Sequence, residues 1–127
     1  MKEKIVEFKE ITSKYDGFAI VTNKQTIKIG IDNEQDCCER WGYFVSEDEL
    51  DYFIGAQIID LTITDTELKT GLVKKHDAEY RDEGDIMFVN VNTDKGTLQF
   101  AAYNCHNGYY GHEAFVKSEQ LNHEVVL

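Results

Sequence analysis

Apolar and polar residues alternate along this chain in short runs, and a helical period is rare. Ile27, Ile29 and Ile31 fall on every second position of residues 26–31, which places three branched side chains on one face of a strand. Residues 18–22 (Phe-Ala-Ile-Val-Thr) are equally β-prone, and Asn23-Lys24 between the two runs can turn tightly, so the pair predicts a hairpin. Ile5 to Ile11 alternates loosely and predicts a first strand, with Asp16-Gly17 as a turn signal after it. Residues 86–92 and 97–103 flank Thr93-Asp94-Lys95-Gly96, which reads as a type I turn with glycine at its left-handed position. Residues 56–64, with Ile58, Ile59, Leu61 and Ile63, predict another strand. Tyr109 to Val116 predicts a further one interrupted by Gly111, and Glu124-Val125-Val126-Leu127 is an apolar tail that completes the sheet. Residues 69–84 are charged and fit a strand plus a long loop.

The helical exception is Ser46-Glu47-Asp48-Glu49, which fits a capping box. It predicts a short helix over 47–53, with acids at its positive end, Leu50 and Phe53 facing the core, and Gly55 as terminator. No internal repeat, linker or low-complexity tract is legible. The expected architecture is one mainly β domain over 1–127, an antiparallel sandwich or half-barrel of about seven to eight strands with one short helix.

Composition narrows the function classes. The length suits a single domain with a real core, and 42% hydrophobic residues exclude disorder. A formal net charge of -11 repels phosphate backbones, so no nucleic-acid partner and no anionic membrane is expected. It leaves open an acidic protein-interaction or DNA-mimic inhibitor, although lysines interrupt the acids. No apolar run approaches the ~20 residues needed to span a membrane. Met1-Lys2-Glu3-Lys4 runs straight into the first strand with no leader, and Cys37, Cys38 and Cys105 make a poor disulfide framework. A reducing cytoplasm is the expected compartment.

Two stretches concentrate the groups able to contact a ligand. Asn104-Cys105-His106-Asn107-Gly108-Tyr109-Tyr110-Gly111-His112-Glu113 follows a strand and combines flat rings, hydrogen-bonding side chains and two glycines. Asp36-Cys37-Cys38-Glu39-Arg40-Trp41-Gly42-Tyr43 reads as its partner. The expected ligand-binding residues are Cys38, Arg40, Trp41, Tyr43, Asn104, His106, Asn107, Tyr109, Tyr110 and His112, a set suited to a planar, polar, nucleotide-like molecule. No metal, cofactor or catalytic residue is expected. Adjacent strand cysteines point to opposite faces, which suits zinc poorly, and no local signature surrounds a Cys-His nucleophile. A Cys-His hydrolase or metal protein is the remaining alternative.

Asp36-Cys37-Cys38-Glu39 followed by Trp41, with Asn107-Gly108-Tyr109-Tyr110-Gly111 near the end, resembles a group of small proteins encoded by bacteriophages and prophages. The resemblance spans roughly Ile27 to Val116 and supplies no catalytic residues. His112 departs from it, since that group often carries another glycine there. It implies a viral, anti-defence context: a non-enzymatic protein that sequesters a nucleotide-like host-defence signal, held across a homodimer or higher homo-oligomer. The acidic surface would then need Arg40, Arg81, nearby lysines and aromatic stacking to hold an anion.

Overall fold

The alternating isoleucines are the inside of the molecule. Ile20, Ile27 and Ile31 are fully buried and pack with Val89, Val91, Leu98 and Phe100 in one core. The computed structural model describes residues 3–13, 15–33, 41–46, 50–64, 85–104 and 113–127, and nine strands lie among them. β1 (Ile5–Ile11), β2 (Asp16–Thr22), β3 (Thr26–Ile31), β8 (Glu113–Lys117) and β9 (Asn122–Val126) form one sheet in that order. β4 (Trp41–Val45), β7 (Gly96–Asn104), β6 (Asp85–Thr93) and β5 (Ile58–Thr64) form the second. All the strand pairings are antiparallel, and the two sheets make the open sandwich of the expected mainly β class.

The backbone repeats itself. β1-β2-β3 and β5-β6-β7 are the same three-stranded meander, with the same registers. Ile5 opposes Thr22 as Ile58 opposes Thr93, and a register shift follows in both, between Ile5 and Glu7 and between Ile58 and Asp60. Ile20 opposes Ile27 as Val91 opposes Leu98, and Gly17 opposes Gly30 as Phe88 opposes Ala101. The fourth strand of each unit crosses to the other sheet. β4 follows β3 but pairs with β7, and β8 follows β7 but pairs with β3. The correspondence holds there too: Ile31 opposes Ala114 as Ala102 opposes Tyr43, at one constant offset in residue number from β2 through β4.

Both hairpin turns use one device. The Thr22 hydroxyl accepts the Lys24 amide at 3.1 Å, and the Thr93 hydroxyl accepts the Lys95 amide at 3.1 Å. Asn23 Oδ1 accepts the Lys4 amide and Asp94 Oδ1 accepts the Gln57 amide, each at 2.9 Å. Lys4 and Gln57 then bridge each other, the Ile5 amide donates to the Ala56 carbonyl, and the Ile58 amide donates to the Glu3 carbonyl. The turns of both units therefore meet at one end of the sandwich. Glu3 adds a network there without a counterpart in the other half, where Ala56 takes its place. Its carboxylate accepts Thr22 Oγ1 at 2.7 Å, Gln25 Nε2 at 2.8 Å and Gln120 Nε2 at 2.8 Å. Burial alone would raise the Glu3 pKa. These hydrogen bonds and the Lys24 charge outweigh it and hold the carboxyl below its ordinary value.

Several local expectations change. Asp16-Gly17 is the start of β2, not a turn, because Gly17 lies so close to β3 that a Cβ would sit 2.1 Å from the Ile29 carbonyl oxygen. The described part of the expected helix is a single 3-10 turn, Leu50–Phe53, with Phe53 buried. The Ser46 hydroxyl accepts the Gln99 amide of β7 at 2.9 Å, and Glu47 to Glu49 lie outside the described residues. On the edge strand β5, Ile58 and Leu61 are buried while Ile59 is 65% exposed. Residues 69–84 lie outside the described residues.

Gly17→Ala forces a backbone shift and is expected to cost about 3 kcal/mol, whereas Gly96→Ala, at positive φ but in open space, costs about 1 kcal/mol. Urea midpoints of the two variants measure the difference; equal losses would contradict the contact at Gly17.

Candidate functional site

Of the ten residues assigned to the site from sequence, Cys38, Arg40, His106, Asn107, Tyr109, Tyr110 and His112 lie outside the described residues. Their anchors are described. Trp41, the first residue after 34–40, opposes Asn104, the last before 105–112, in the β4–β7 ladder. At the other corner Ile31 opposes Ala114, and the Asp32 amide donates to the Glu113 carbonyl at 2.8 Å. The anchors of the two connections therefore lie beside each other at both ends, with the chain direction reversed between them. Directly opposed antiparallel residues have Cα atoms about 4.5–5.5 Å apart. Asp85, the first described residue after 65–84, is the second ladder neighbour of Asn104.

Asn104 is fully buried, and its side-chain amide donates to the main-chain oxygen of Leu127 at 3.1 Å. It ties the residue after β9 to the end of β7. Asn33 holds the corresponding place in the first unit, where its amide donates to the Thr12 carbonyl at 3.2 Å and approaches the Ser13 carbonyl at 3.3 Å. Sequence reasoning passed over Asn33. The available signal was spacing, since Asn33 follows Thr22-Asn23-Lys24 at the distance that separates Asn104 from Thr93-Asp94-Lys95.

Tyr43 is half-buried in β4. Its ring meets Phe18 edge-on at 5.6 Å, and its hydroxyl donates to the Glu10 carboxylate of β1, in the opposite sheet. Burial, the Glu10 hydrogen bond and charge, and the Asp16 charge all push its pKa well above the ordinary tyrosine value. Glu10 is a second residue that sequence reasoning missed, because only the facing of two sheets brings it to Tyr43. A cavity of about 450 Å³ opens between His123, Val125 and Leu127 on one side and Ile63, Thr64, Ile86 and Met87 on the other. Its walls are chiefly apolar, and its size is within the range of small-ligand sites. Cys37, Cys38, Cys105, His106 and His112, the residues weighed for zinc, all lie outside the described residues; among the described ones no cluster of three or more His, Cys, Asp or Glu could hold a metal.

A family model described as a domain of unknown function, DUF7448, matches residues 1–116. The chain belongs to the DUF7448 family. The match takes in both meanders, both crossing connections and most of β8, so the repeated architecture falls almost wholly inside the DUF7448 domain. β9 and Leu127, which Asn104 holds, lie beyond it. No curated protein and no solved structure matches the chain. Among the described residues of this DUF7448 chain, no helix is long and apolar enough to cross a membrane.

Two variants check the anchors. Asn104→Ala is expected to lower stability by about 2 kcal/mol and to speed amide exchange in β9. Folded Tyr43 keeps its proton above the ordinary value of 10.0, so its contribution is full below that pH and is lost as pH rises through the higher folded pKa. Tyr43→Phe should flatten the alkaline limb of the stability curve; an unchanged limb would mean that Tyr43 is not the titrating group.

Proposed function

We propose that this protein is a non-enzymatic binding protein that sequesters a small nucleotide-like ligand at the crossing end of the sandwich. The observation that carries the reading is the pairing of Trp41 with Asn104, which fixes the two ligand-suited stretches to adjacent points of one ladder. Segments of seven and eight residues tethered at both ends reach at most about 14 Å beyond their anchors. In this reading Cys38, Arg40, His106, Asn107, Tyr109, Tyr110 and His112 share one neighbourhood. In this reading Trp41 and the tyrosine pair supply stacking faces, and Arg40 supplies charge for an anionic group. His106, Asn107 and His112 supply hydrogen bonds, with Cys38 at the wall. Asn104 and Tyr43 act beneath the ligand, holding β7, β9 and β1 in place.

The resemblance to phage- and prophage-encoded proteins supports a host-defence signal as the ligand. A homo-oligomer that encloses it belongs to the same proposal. The acidic composition favours a ligand gripped by local contacts over one drawn in by the whole surface.

The test is incubation of the purified chain with AMP, ADP-ribose and cyclic dinucleotides, followed by removal of free ligand, heat release and mass spectrometry. Intact ligand in the released fraction supports sequestration, altered ligand identifies an enzyme, and no retention removes the proposal. Because Trp41 is the only tryptophan, a retained nucleotide should quench its fluorescence. Trp41→Ala should weaken binding by about 1–3 kcal/mol, the worth of one base–aromatic stack.

A further inference from the structure

We propose a second ligand site on the outer face of the β3–β8 ladder, for a small aromatic ring that carries an anionic group. Three rows of side chains share this face. Lys28 opposes Lys117, Gly30 opposes Phe115, and Asp32 lies beside Glu113. Tyr15, Lys28, Asp32, Glu113, Phe115 and Lys117 line a cavity of about 380 Å³. Gly30 lies beneath the Tyr15 ring. A Cβ there would fall 2.2 Å from the Tyr15 ring, so only glycine lets that ring rest on the strand. Tyr15 then meets Phe115 edge-on, with centroids 4.9 Å apart at 80°, giving two aromatic walls at nearly a right angle.

The lysine row is the feature that needs a cause. Like charges directly opposed across a ladder are destabilising. Lys117 has compensation: its ammonium lies 3.6 Å from Glu124 and 5.2 Å from the centre of the Phe115 ring. Lys28 is exposed, and no salt bridge to it occurs among the described residues. The repeat supplies an internal control. At the matching places on the other sheet Gln99 stands for Lys28, Ser46 for Lys117, Ala101 for Gly30, Phe44 for Phe115 and Ile86 for Tyr15. There the Ser46 hydroxyl accepts the Gln99 amide, and Phe44, Ala101 and Ile86 are buried in an apolar cluster. The scaffold thus forms with neutral residues at both lysine positions and with its aromatic face closed. In the first sheet the same face is open and aromatic, and at one end Lys28 and Lys117 outnumber Glu124. The acids at the far end repel an anion, so the charge on a ligand is directed to the lysines while its ring lies against Phe115 and Tyr15.

Amide NMR of the full chain titrated with phenyl phosphate tests the site, with inorganic phosphate and phenol as partial probes. Saturable shifts are expected at Lys28, Gly30, Phe115 and Lys117, with phenyl phosphate binding at least about tenfold tighter than either partial probe. Lys28→Gln combined with Lys117→Gln should weaken it by about tenfold or more, with the remaining spectrum intact, and rising salt should do the same. Equal binding by inorganic phosphate, unchanged affinity in the double variant, or no saturable shift would each overturn the proposal. The outcome is separable from that at the crossing end. Trp41→Ala should leave phenyl phosphate binding unchanged, and a loss there would move the ligand to the crossing end and end the claim for this groove.

Discussion

Each sheet of this sandwich takes its fourth strand from the other half of the chain. β4 lies along β7 and β8 lies along β3, so neither half completes its own sheet. This exchange is the constraint on which the candidate site depends. It requires two connections that run between the same corners in opposite directions, and it places their anchors in shared ladders. Register makes the placement strict. Tyr43 and Val45 pack on the main core while Phe44 joins the outer cluster, and a slip of one residue would reverse all three.

The two ends of the molecule have different characters. Where the hairpin turns meet, backbone hydrogen bonds close the structure in matched pairs, and the Glu3 network breaks the match. At the crossing end the matched features are the asparagine anchors, Asn33 and Asn104, and the equal lengths of chain between Ile31 and Tyr43 and between Ala102 and Ala114. The intervening residues have little in common in sequence. A shared frame that carries unlike residues is the pattern by which loops on one scaffold acquire separate tasks.

Most strands and both hairpin turns were legible in the sequence because their causes are local; β4 was not, having been read only as part of a ligand-suited stretch. A period of two sets the faces, and Thr-Asn-Lys or Thr-Asp-Lys sets the turns. The repeat was not legible, since the inner positions keep only apolarity. Ile20 corresponds to Val91, Ile29 to Phe100 and Ile31 to Ala102. The longer chain between β5 and β6 than between β1 and β2 also breaks the offset. Gly17 reads locally as a turn residue, yet its role is set by the nearness of β3, a contact made across a hairpin. Ser46 reads as a helix cap, yet its hydroxyl is engaged by β7, far along the chain. The two ligand-suited stretches were visible from composition. Their adjacent anchoring arises from a ladder between β4 and β7 that no local pattern announces.

Exchanged strands also govern how such a protein can be made. As the nascent chain leaves the ribosome, β1, β2 and β3 can form a meander early, but β3 then presents a bare edge until β8 follows. β4 must wait for β7. Through most of synthesis the chain therefore carries unpaired strand edges, which invite pairing with other chains. Contacts this distant in sequence also slow folding. The sandwich closes only once β7 and β8 have both been made.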